Sequence, residues 1–569
     1  MNPLAERLNG LRWRLRASRR LWSKDAEPAD TFLAPESQLG KMLGRIDVPG
    51  PGAEVVGPVF IVRGWALFPD SPTATVEIRL DGRPVGNARV AYPRPDVAEL
   101  LEVPEAISSG FELAIERATT ELPEGRATVE VIPKSVSGEQ QVLGPVEVTI
   151  GDPRGETLPP AAADPMPEPP LPTPMAASSD GPNVLVVTHQ LNLGGAQLYL
   201  MDLLRGMRHA SDASFTVISA LDGTLRHDLE AMGIPVHVFG ALDHEPSCRV
   251  GRLEEMASWA RDRRFDVALV NTATVFTVPG AELAGLLGIP YVWAIHESFH
   301  PSVLWSVLPK PLRERAEAAI AGAEALVFET EATRRLYEDG AGGARCLTLP
   351  YGLDMEPLDA WRRSFDMRRE RGEAGIPQDA ELVVCIGTIE PRKAQNTLAQ
   401  AFDLIAAKHP RAHLAFVGGR KDLECEALEA LIAKARHGSR MHLIPITPDV
   451  HAWYGMADIL VCASDVESMP RTVLEAMAWE TPVLATRVFG LPEVIVEGEN
   501  GWLCEPRDLG ALAQGLERAL SSSPEERRRM GRHSRELVEE RHSLPRYGQE
   551  VFGLLQEAIE KKGTDSHGR

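Results

Sequence analysis

The segment that begins at Asn183 reads Asn183-Val-Leu-Val-Val-Thr188 and, four residues later, Leu193-Gly-Gly-Ala196. A continuous apolar run of this length is typical of a parallel strand that is buried on both faces. The paired glycines permit a tight turn into a helix predicted over 197–207. A strand, a glycine turn and a helix in this order predict the first unit of a Rossmann-like α/β domain.

The alternation of strands and helices continues along the chain in two consecutive series. Each series extends over about 170 to 190 residues, the size of one α/β domain. We therefore predict two Rossmann-like domains, 182–355 and 356–545, facing each other across a cleft. Ligands in such folds bind at the carboxyl ends of the strands. The predicted strands span 184–188, 215–219, 267–270, 291–295 and 325–328 in the first series, and 382–387, 414–417, 442–445, 459–462 and 482–485 in the second.

Upstream of both series, residues 48–151 read as an all-β region. Apolar and polar residues alternate at 75–80, 127–132 and 146–150, which predicts the short strands of a small β-sandwich. Its aromatic residues would form the core, and stacking on a sugar is the alternative for an exposed one. They are Phe60, Trp65, Phe68 and Phe111. Residues 152–181 are rich in proline and predict an extended linker.

The bulk composition restricts the class of protein. Of 569 residues, 44% are hydrophobic and 25% charged, as in globular proteins. The net charge of −21 argues against a nucleic-acid-binding protein, which would need a basic surface. The six cysteines form no C-x-x-C pair, so we expect reduced thiols. With no signal peptide and no bilayer-spanning stretch in the sequence, we predict a cytoplasmic protein.

The N-terminal segment, 1–30, departs from the acidic average. Seven basic residues lie within 7–24, and leucines recur at positions 4, 8, 11 and 15. This pattern predicts a basic amphipathic helix. Residues 4–24 are therefore candidates for peripheral contact with anionic lipid on the cytosolic face of a membrane. A solvated extension and a helix packed on its own protein are the alternatives.

Late in the second series the chain reads Glu467-Ser-Met-Pro-Arg-Thr-Val-Leu-Glu475. We predict that a helix starts here, with Pro470 as its first residue and Ser468 as its cap. Glu467 then lies in the preceding loop and Glu475 inside the helix. Backbone N–H groups at the helix start, near Met469, favour phosphate. Carboxylates beside an anion site are suited to hydroxyls, so the run suggests a nucleotide-sugar site.

Adjacent cations follow the first strand of the second series, in Gly387-Thr-Ile-Glu-Pro-Arg392-Lys393. At a strand end, Arg392 and Lys393 are placed to neutralise a diphosphate and to stabilise the charge that grows on it as a sugar leaves. A solvated surface pair is the alternative interpretation.

Two features of the first series also follow strands. Gly194 and Gly195 let the backbone approach a ligand, although glycines serve tight turns for steric reasons as well. His296 ends the strand at 291–295. It is either a structural histidine, the commoner case for a lone histidine after an apolar strand, or a group that hydrogen-bonds a ligand. The adjacent Glu297 would orient the ring or be solvated.

Taken together, these elements resemble the family 4 retaining glycosyltransferases, whose fold of two Rossmann domains is called GT-B. The resemblance rests on the E-x7-E run, the Gly194 loop, the cations after Gly387 and the stretch Phe489-Gly490-Leu-Pro-Glu493, in matching order over 183–560. The region 48–151 loosely resembles accessory β-domains of some bacterial glycosyltransferases. The resemblance also implies that a C-terminal helix, 546–561, returns to the first Rossmann domain.

The resemblance implies roles on the donor side. Glu475 would bind the ribose of the nucleotide, and Glu467 would contact the donor sugar and hold the developing oxocarbenium ion. Lys393 matches the family's diphosphate-binding lysine, whereas Thr388 stands where the family often has arginine. Arg392 is our candidate for the second phosphate cation. The implied donor-binding residues are Gly387, Thr388, Arg392, Lys393, Ser468, Met469, Pro470, Glu475 and Gly490.

On the acceptor side, the resemblance places His296 near the reacting carbon, as a catalytic residue beside Glu467. Gly194 and Gly195 would form the acceptor or phosphate loop. No D-x-D motif follows a strand with suitable neighbours, so we expect no essential metal and no cofactor other than the nucleotide-diphosphate sugar as co-substrate.

The predicted activity is retaining transfer of a hexose-type sugar to a hydroxyl of a glycan or lipid-linked acceptor, in bacterial polysaccharide, glycolipid or cell-surface glycan synthesis. Two alternatives stay open. A nucleotide-sugar epimerase would use the same diphosphate site but would need an acid/base pair at C2, for which the sequence has no clear candidate. A non-catalytic protein would bind glycan or nucleotide without turnover.

Overall fold

A computed structural model describes residues 42–151 and 181–567 of the chain. Within these ranges the gaps are 56–58, 69–70, 93, 95–96, 98–108, 117–119, 121, 123, 241–245, 275, 306–307, 309 and 448–449. The predicted N-terminal helix of 1–30 and nearly all of the predicted linker lie outside the described residues. The rest forms two antiparallel-rich sheets followed by two parallel sheets.

The first two sheets pack face to face as a β-sandwich around one apolar core. One sheet has the strand order β1-β3-β7-β6 and the other β2-β9-β8-β4-β5. The four predicted core aromatics are all buried, which fits core packing. The sandwich begins before residue 48, because Ile46 of β1 is a buried core residue and its strand pairs with β3. The strands are β1 Leu43–Val48, β2 Ala53–Val55, β3 Val59–Leu67, β4 Thr73–Leu80, β5 Arg83–Asn87, β6 Arg89–Tyr92, β7 Gly110–Glu116, β8 Gly125–Ser135 and β9 Leu143–Ile150.

The first Rossmann domain contains a parallel sheet in the order β12-β11-β10-β13-β14-β15-β16. The central strand β10 is buried along most of its length, as its apolar run predicts. The order reverses between β10 and β13, and such a switch point is where open α/β sheets bind ligands. The strands are β10 Asn183–Gln190, β11 Ser214–Leu221, β12 Val236–Val238, β13 Val267–Asn271, β14 Tyr291–Ile295, β15 Ala325–Phe328 and β16 Arg345–Thr348; the helices are α1 Gly195–Ala210, α2 Leu225–Ala231, α3 Pro246–Arg261, α4 Val278–Leu287, α5 Pro301–Leu304, α6 Lys310–Ala321 and α7 Glu331–Tyr337.

The second Rossmann domain repeats this plan with the parallel order β19-β18-β17-β20-β21-β22. Its switch point lies between β17 and β20, whose following loops carry the predicted cations and Glu467. The strands are β17 Glu381–Ile386, β18 Ala412–Gly419, β19 Met441–Pro445, β20 Ile459–Cys462, β21 Val483–Thr486 and β22 Gly501–Cys504; the helices are α8 Met355–Ser364, α9 Met367–Glu373, α10 Gln395–Ile405, α11 Leu423–Lys434, α12 His451–Met456, α13 Arg471–Ala478, α14 Leu491–Val494, α15 Leu509–Ser521 and α16 Pro524–Arg541.

The last helix, α17 Leu544–His567, returns to the first Rossmann domain and packs along α1. The two helices approach closely because glycines face each other: a Cβ on Gly548 would lie 2.3 Å from the carbonyl carbon of Gly206. The chain thus crosses between the Rossmann domains twice. The crossings are bonded to each other, since Leu353 N donates to His542 O at 2.9 Å and the His542 ring contacts Tyr351 O at 2.7 Å.

The β-sandwich packs directly on the second Rossmann domain. Strand β6 contacts α10, strand β4 contacts α15, and the apolar cores of the two units are continuous. This junction lies beside the loop that follows β17, because Thr397 near the start of α10 donates to Val90 O at 3.3 Å. The β-sandwich is therefore part of the wall next to the predicted donor loop.

Candidate functional site

Three of the predicted donor residues meet at the switch point of the second sheet. Arg392 Nη1 lies 3.0 Å and Lys393 Nζ 3.9 Å from the same Glu467 carboxylate oxygen, Oε2. Ser464 Oγ contacts that oxygen at 3.2 Å. Because β17 and β20 are neighbours in the sheet, the loops after them bring these residues together. The result is a half-buried cluster of two cations around one carboxylate.

Gly387 gives Lys393 room in this cluster. Its φ of 141° is unfavourable for residues with a side chain, and a Cβ at this position would lie 2.9 Å from Lys393 Nζ. The glycine therefore serves both the backbone conformation and the approach of the ammonium group to the strand end.

Thr388 acts through a carboxylate that the sequence did not single out, Glu390. The Thr388 hydroxyl donates to Glu390 Oε1 at 2.6 Å, and Glu390 Oε2 lies 2.9 Å from Arg392 Nε. Burial disfavours the Arg392 charge, but the carboxylates of Glu467 and Glu390 outweigh burial and raise its pKa. Arg392 is thus a permanent cation held between two acidic groups.

The start of the next helix differs from the prediction. Helix α13 begins at Arg471, and Pro470 precedes it with extended dihedrals, φ −70° and ψ 121°. Ser468 does not cap the helix, because its hydroxyl reaches across the cleft to Thr333 Oγ1 at 3.1 Å. Met469 is buried beside it. The predictions of Pro470 as first helical residue and of Ser468 as cap are therefore wrong.

Glu475 lies apart from Glu467, in a buried network. Its Oε2 accepts from the Tyr454 hydroxyl at 2.6 Å, and its Oε1 accepts from Arg471 Nε at 2.6 Å. Arg471 also contacts Asp202 of the first Rossmann domain and the hydroxyl of Tyr351. Both oxygens of Glu475 are occupied within the protein, so a ribose would have to replace one of these partners or share an oxygen with it.

Gly490 closes the loop that faces Ser468. Its N–H donates to Ser468 O at 3.2 Å, and a Cβ there would lie 2.5 Å from that oxygen and 2.2 Å from Thr330 Cγ2. Glycine is thus the residue that lets this loop of the second domain approach Thr330 of the first. Nearby, Glu493 accepts from two backbone N–H groups at the start of α7, which adds a further contact across the cleft.

The first-domain loop has the geometry of a strand-to-helix turn. Gly194 is the N-cap of α1, and a Cβ on it would lie 2.5 Å from the Gln197 side-chain oxygen. Gly195, by contrast, faces open space. The Gln197 amide contacts the His189 ring at 3.2 Å, so these two side chains also line the loop.

His296 is held on both sides of its ring. Nδ1 lies 2.8 Å from Glu329 Oε1, and Nε2 lies 3.0 Å from Asn271 Oδ1. Burial alone would lower its pKa, but the charge and hydrogen bond of Glu329, with the charge of Glu297, outweigh burial and raise it. Glu297 does not orient the ring as one alternative had it, because its carboxylate binds Thr272 and the N–H of Ala273.

Four residues near the site were not singled out from the sequence, and they fall into two groups: two lie at strand ends, and two are brought to the site by domain packing. Asn271 and Glu329 directly end or follow strands β13 and β15, so the strand-end criterion that selected His296 would have found them. Asp202 and Tyr351 carried no local signal, because they reach the site only through the packing of two domains.

Metal ligands and membrane spans were also sought among the described residues. Across 42–151 and 181–567, outside the gaps, no three His, Cys, Asp or Glu side chains group to hold a metal ion. In the same part of the chain, no helix combines the length and apolar character needed to cross a bilayer. The expectation that the reaction needs no divalent cation stays a prediction.

Two family models match the chain over its Rossmann domains. The model for glycosyl transferases group 1 matches residues 366–537, and the model for the glycosyl transferase 4-like domain matches residues 194–352. The first covers the Lys393, Glu467 and Glu475 loops, and the second covers Gly194 and His296. The β-sandwich lies outside both.

Curated relatives include D-inositol 3-phosphate glycosyltransferases of several bacteria. The one from Thermomonospora curvata is 31% identical over 50% of this chain and 66% of its own length. The one from Paenarthrobacter aurescens is 30% identical over 51% of this chain and 74% of its own length. The chain spans less than two thirds of the length of several of these relatives. It covers, for example, 62% of the D-inositol 3-phosphate glycosyltransferase of Arthrobacter sp..

Among solved structures, Anabaena Alr3699/HepE in complex with UDP and glucose is similar in fold. Its TM-score is 0.57 at 19% identity, and the match covers 66% of this chain and 100% of that one. The likeness confirms the predicted fold of two Rossmann domains facing a cleft. Together with the family models and the Paenarthrobacter relative, it leads to one conclusion: this chain belongs to the group 1, family 4-like glycosyltransferases of the GT-B fold.

Proposed function

We propose that the protein is a retaining glycosyltransferase that moves a hexose-type sugar from a nucleotide-diphosphate sugar to an acceptor hydroxyl. The observation that carries the proposal is the meeting of Arg392, Lys393 and Glu467 at the switch point of the second sheet. Two cations and a carboxylate within 4 Å suit a diphosphate bonded to a sugar, because one ligand then presents both an anion and hydroxyls.

The ion pairs of the cluster suggest how the donor is received. Arg392 and Lys393 now share one oxygen of Glu467, and an arriving diphosphate would compete for both cations. The carboxylate would then turn to the hydroxyls of the sugar and stabilise the developing oxocarbenium ion. Each cation that stabilises the departing diphosphate would contribute about 2–4 kcal/mol to the transition state.

The acceptor side is proposed to lie at Gly194, Gly195 and His296. Both ring nitrogens of His296 are engaged by the protein, and its pKa is raised. Because Glu329 and Asn271 already occupy its two ring nitrogens, we assign it a role in shaping the acceptor side rather than a proton transfer. Closure of the cleft would exclude water and limit hydrolysis of the donor.

Donor and acceptor are inferred from the relatives. Anabaena HepE is described with UDP and glucose, which favours a uridine-linked hexose as the first donor to test. The curated relatives are named for D-inositol 3-phosphate. A lipid-linked or polysaccharide intermediate of bacterial glycan synthesis is the other acceptor we propose, with the protein in the cytoplasm or at the cytosolic face of the membrane.

A panel of nucleotide-sugars tests the proposal. The full-length protein, with EDTA present, should release nucleotide diphosphate only when an acceptor is added, and NMR of the product should show that the anomeric configuration of the donor is kept. An inverted product would contradict the retaining mechanism. A donor epimerised at C2 would identify an epimerase, and binding without turnover would identify a sensor. Partition of labelled product between lipid and water distinguishes the two kinds of acceptor.

A further inference from the structure

One arginine of the β-sandwich reaches the loop that carries Glu467. Arg89, at the start of β6, places Nε 2.5 Å from Asp465 Oδ2. Strand β6 is an edge of its sheet and packs against α10 of the second Rossmann domain. The ion pair therefore joins the accessory unit to the donor loop, two residues before Glu467.

The partner of Arg89 is the most buried carboxylate of this loop. The Asp465 side chain is 1% exposed, and its other nearby cation, Arg507, lies 3.9 Å away. A buried carboxylate that loses its cation carries a large desolvation cost. The inward orientation of Asp465 is consequently stabilised above all by the Arg89 guanidinium, with Arg507 as the more distant second cation.

Asp465 is also bonded to the cation loop. Its N–H donates to Arg392 O at 2.7 Å, and Arg392 Nη1 in turn contacts Glu467. A shift of Asp465 would thus move both the backbone of Arg392 and the carboxylate of Glu467. On either side of Arg89, Thr397 donates to Val90 O and Arg507 donates to Asn87 O. These bonds hold the backbone of Arg89 in place on the second Rossmann domain.

We propose that Arg89 is a positioning residue of the donor site, and that the β-sandwich acts as a structural part of this site by holding Asp465. The proposal rests on the proposed function for its kinetic consequence. Its structural consequence, the ordering of the loop from 463 to 469, does not depend on which reaction the protein performs.

The test uses Arg89→Gln in the full-length protein. Because misplacement of a reacting group by about 1 Å costs up to about a hundredfold in rate, we expect kcat to fall about tenfold or more. The KM for the donor should change less than kcat, since Glu475, the proposed ribose contact, lies in a separate network. Arg89→Lys should retain more of kcat than Arg89→Gln. Asp465→Asn added to Arg89→Gln should restore part of the loss, because the uncompensated charge is then removed.

Arg94→Gln is the matched control. Arg94 pairs with Asp47 at 2.6 Å inside the β-sandwich, and its side chain is buried to a similar degree as that of Arg89. We expect kcat within twofold of the unsubstituted protein. An equal loss of kcat in both variants would overturn the proposal, because it would indicate general weakening of the β-sandwich.

Hydrogen exchange of the peptide covering 463–469 keeps the two proposals separable. Exchange should be faster in Arg89→Gln, return toward normal with Asp465→Asn, and stay unchanged in Arg94→Gln. Unchanged exchange in Arg89→Gln overturns the positioning role even if transfer is found. Absence of transfer by the unsubstituted protein overturns only the proposed function, and the exchange result then decides the role of Arg89.

Discussion

The Arg471 guanidinium joins the two Rossmann domains by contacting the carboxylate of Asp202 across the cleft. Asp202 belongs to α1 and is 1% exposed, whereas Arg471 begins α13 and also holds Glu475 of the same helix. Arg471, the first residue of this helix, therefore also links the two Rossmann domains. Burial of Asp202 makes this pair energetically important, because its carboxylate has no bulk water to replace the guanidinium.

The first prediction concerns this pair. Arg471→Met should lower the free energy of unfolding by about 3–5 kcal/mol, because it leaves Glu475 as a buried charge without its cation and Asp202 with only the half-exposed Arg205. Urea unfolding followed by tryptophan fluorescence measures the change. Adding Asp202→Asn should recover part of the loss. Arg205→Gln is the control, since that half-exposed partner of Asp202 should contribute less than about 1 kcal/mol. Equal effects of Arg471→Met and Arg205→Gln would contradict this view.

A second prediction addresses the leaving group. Lys393→Ala should lower kcat about a hundredfold or more, because one cation facing the diphosphate is removed. Lys408→Ala is a suitable comparison, since Lys408 forms an exposed pair with Glu517 on the surface. Steady-state kinetics with the donor that the nucleotide-sugar panel identifies gives both values. Near-normal turnover of Lys393→Ala would remove Lys393 from the proposed mechanism.

The third prediction is a pH dependence that originates at His296. Its pKa in the folded protein is raised above the ordinary value of 6.5, so its stabilising contribution is complete below that pH and is lost as the pH rises through the folded-state pKa. Glu329→Gln removes the main raising interaction. The variant should therefore lose more Tm relative to the unsubstituted protein at about pH 6 than at about pH 9. A loss that does not depend on pH would contradict a raised pKa of His296.

His296→Gln provides the control for this experiment. In that background Glu329→Gln should change Tm by a similar amount at both pH values, because no imidazole remains to titrate. A persistent pH dependence would point to another group near Glu329.

The fourth prediction concerns the packing of α17 on α1. Gly548→Ala should destabilise the protein by about 1–3 kcal/mol, because the added methyl group would meet the backbone of Gly206. Gly553→Ala, in the same helix, faces open space and should be neutral or stabilising by up to about 1 kcal/mol. Thermal unfolding of the two variants compares them directly. Similar destabilisation by both would mean that the close helix contact is absent.

The strands were predictable because burial on both faces leaves a continuous apolar run. The strands at 291–295, 325–328 and 459–462 have the predicted bounds, and the positions of His296 after the first and of Glu467 after the last followed from the sheets. The start of α13 was not predictable in detail: proline fits a first helical position, yet Pro470 precedes the helix with extended dihedrals, and the Ser468 hydroxyl binds Thr333 of the other domain instead of capping the helix.

Contacts between distant parts of the chain could not be predicted either, because they also depend on residues from another domain. Arg471 and Asp202 are separated by 269 positions, and Arg89 and Asp465 by 376. In the sequence these charged residues resemble solvated surface residues. They become buried only when whole domains pack together, so the spacing of residues along the chain does not predict the ion pairs. The sequence predicts which loops meet at the cleft, but it does not predict which residues of other domains form ion pairs with those loops.

The paired crossings near Leu353 and His542 restrict how the cleft can open. A single connection would allow the second domain to swivel about several axes, whereas two segments bonded side by side leave one soft bending axis. We expect spin labels on α3 and α11 to report one distance coordinate that shortens when nucleotide binds, and several independent coordinates would argue otherwise. Each time the cleft closes, the loop that carries Lys393 and the strand end that carries His296 would then return to the same relative position.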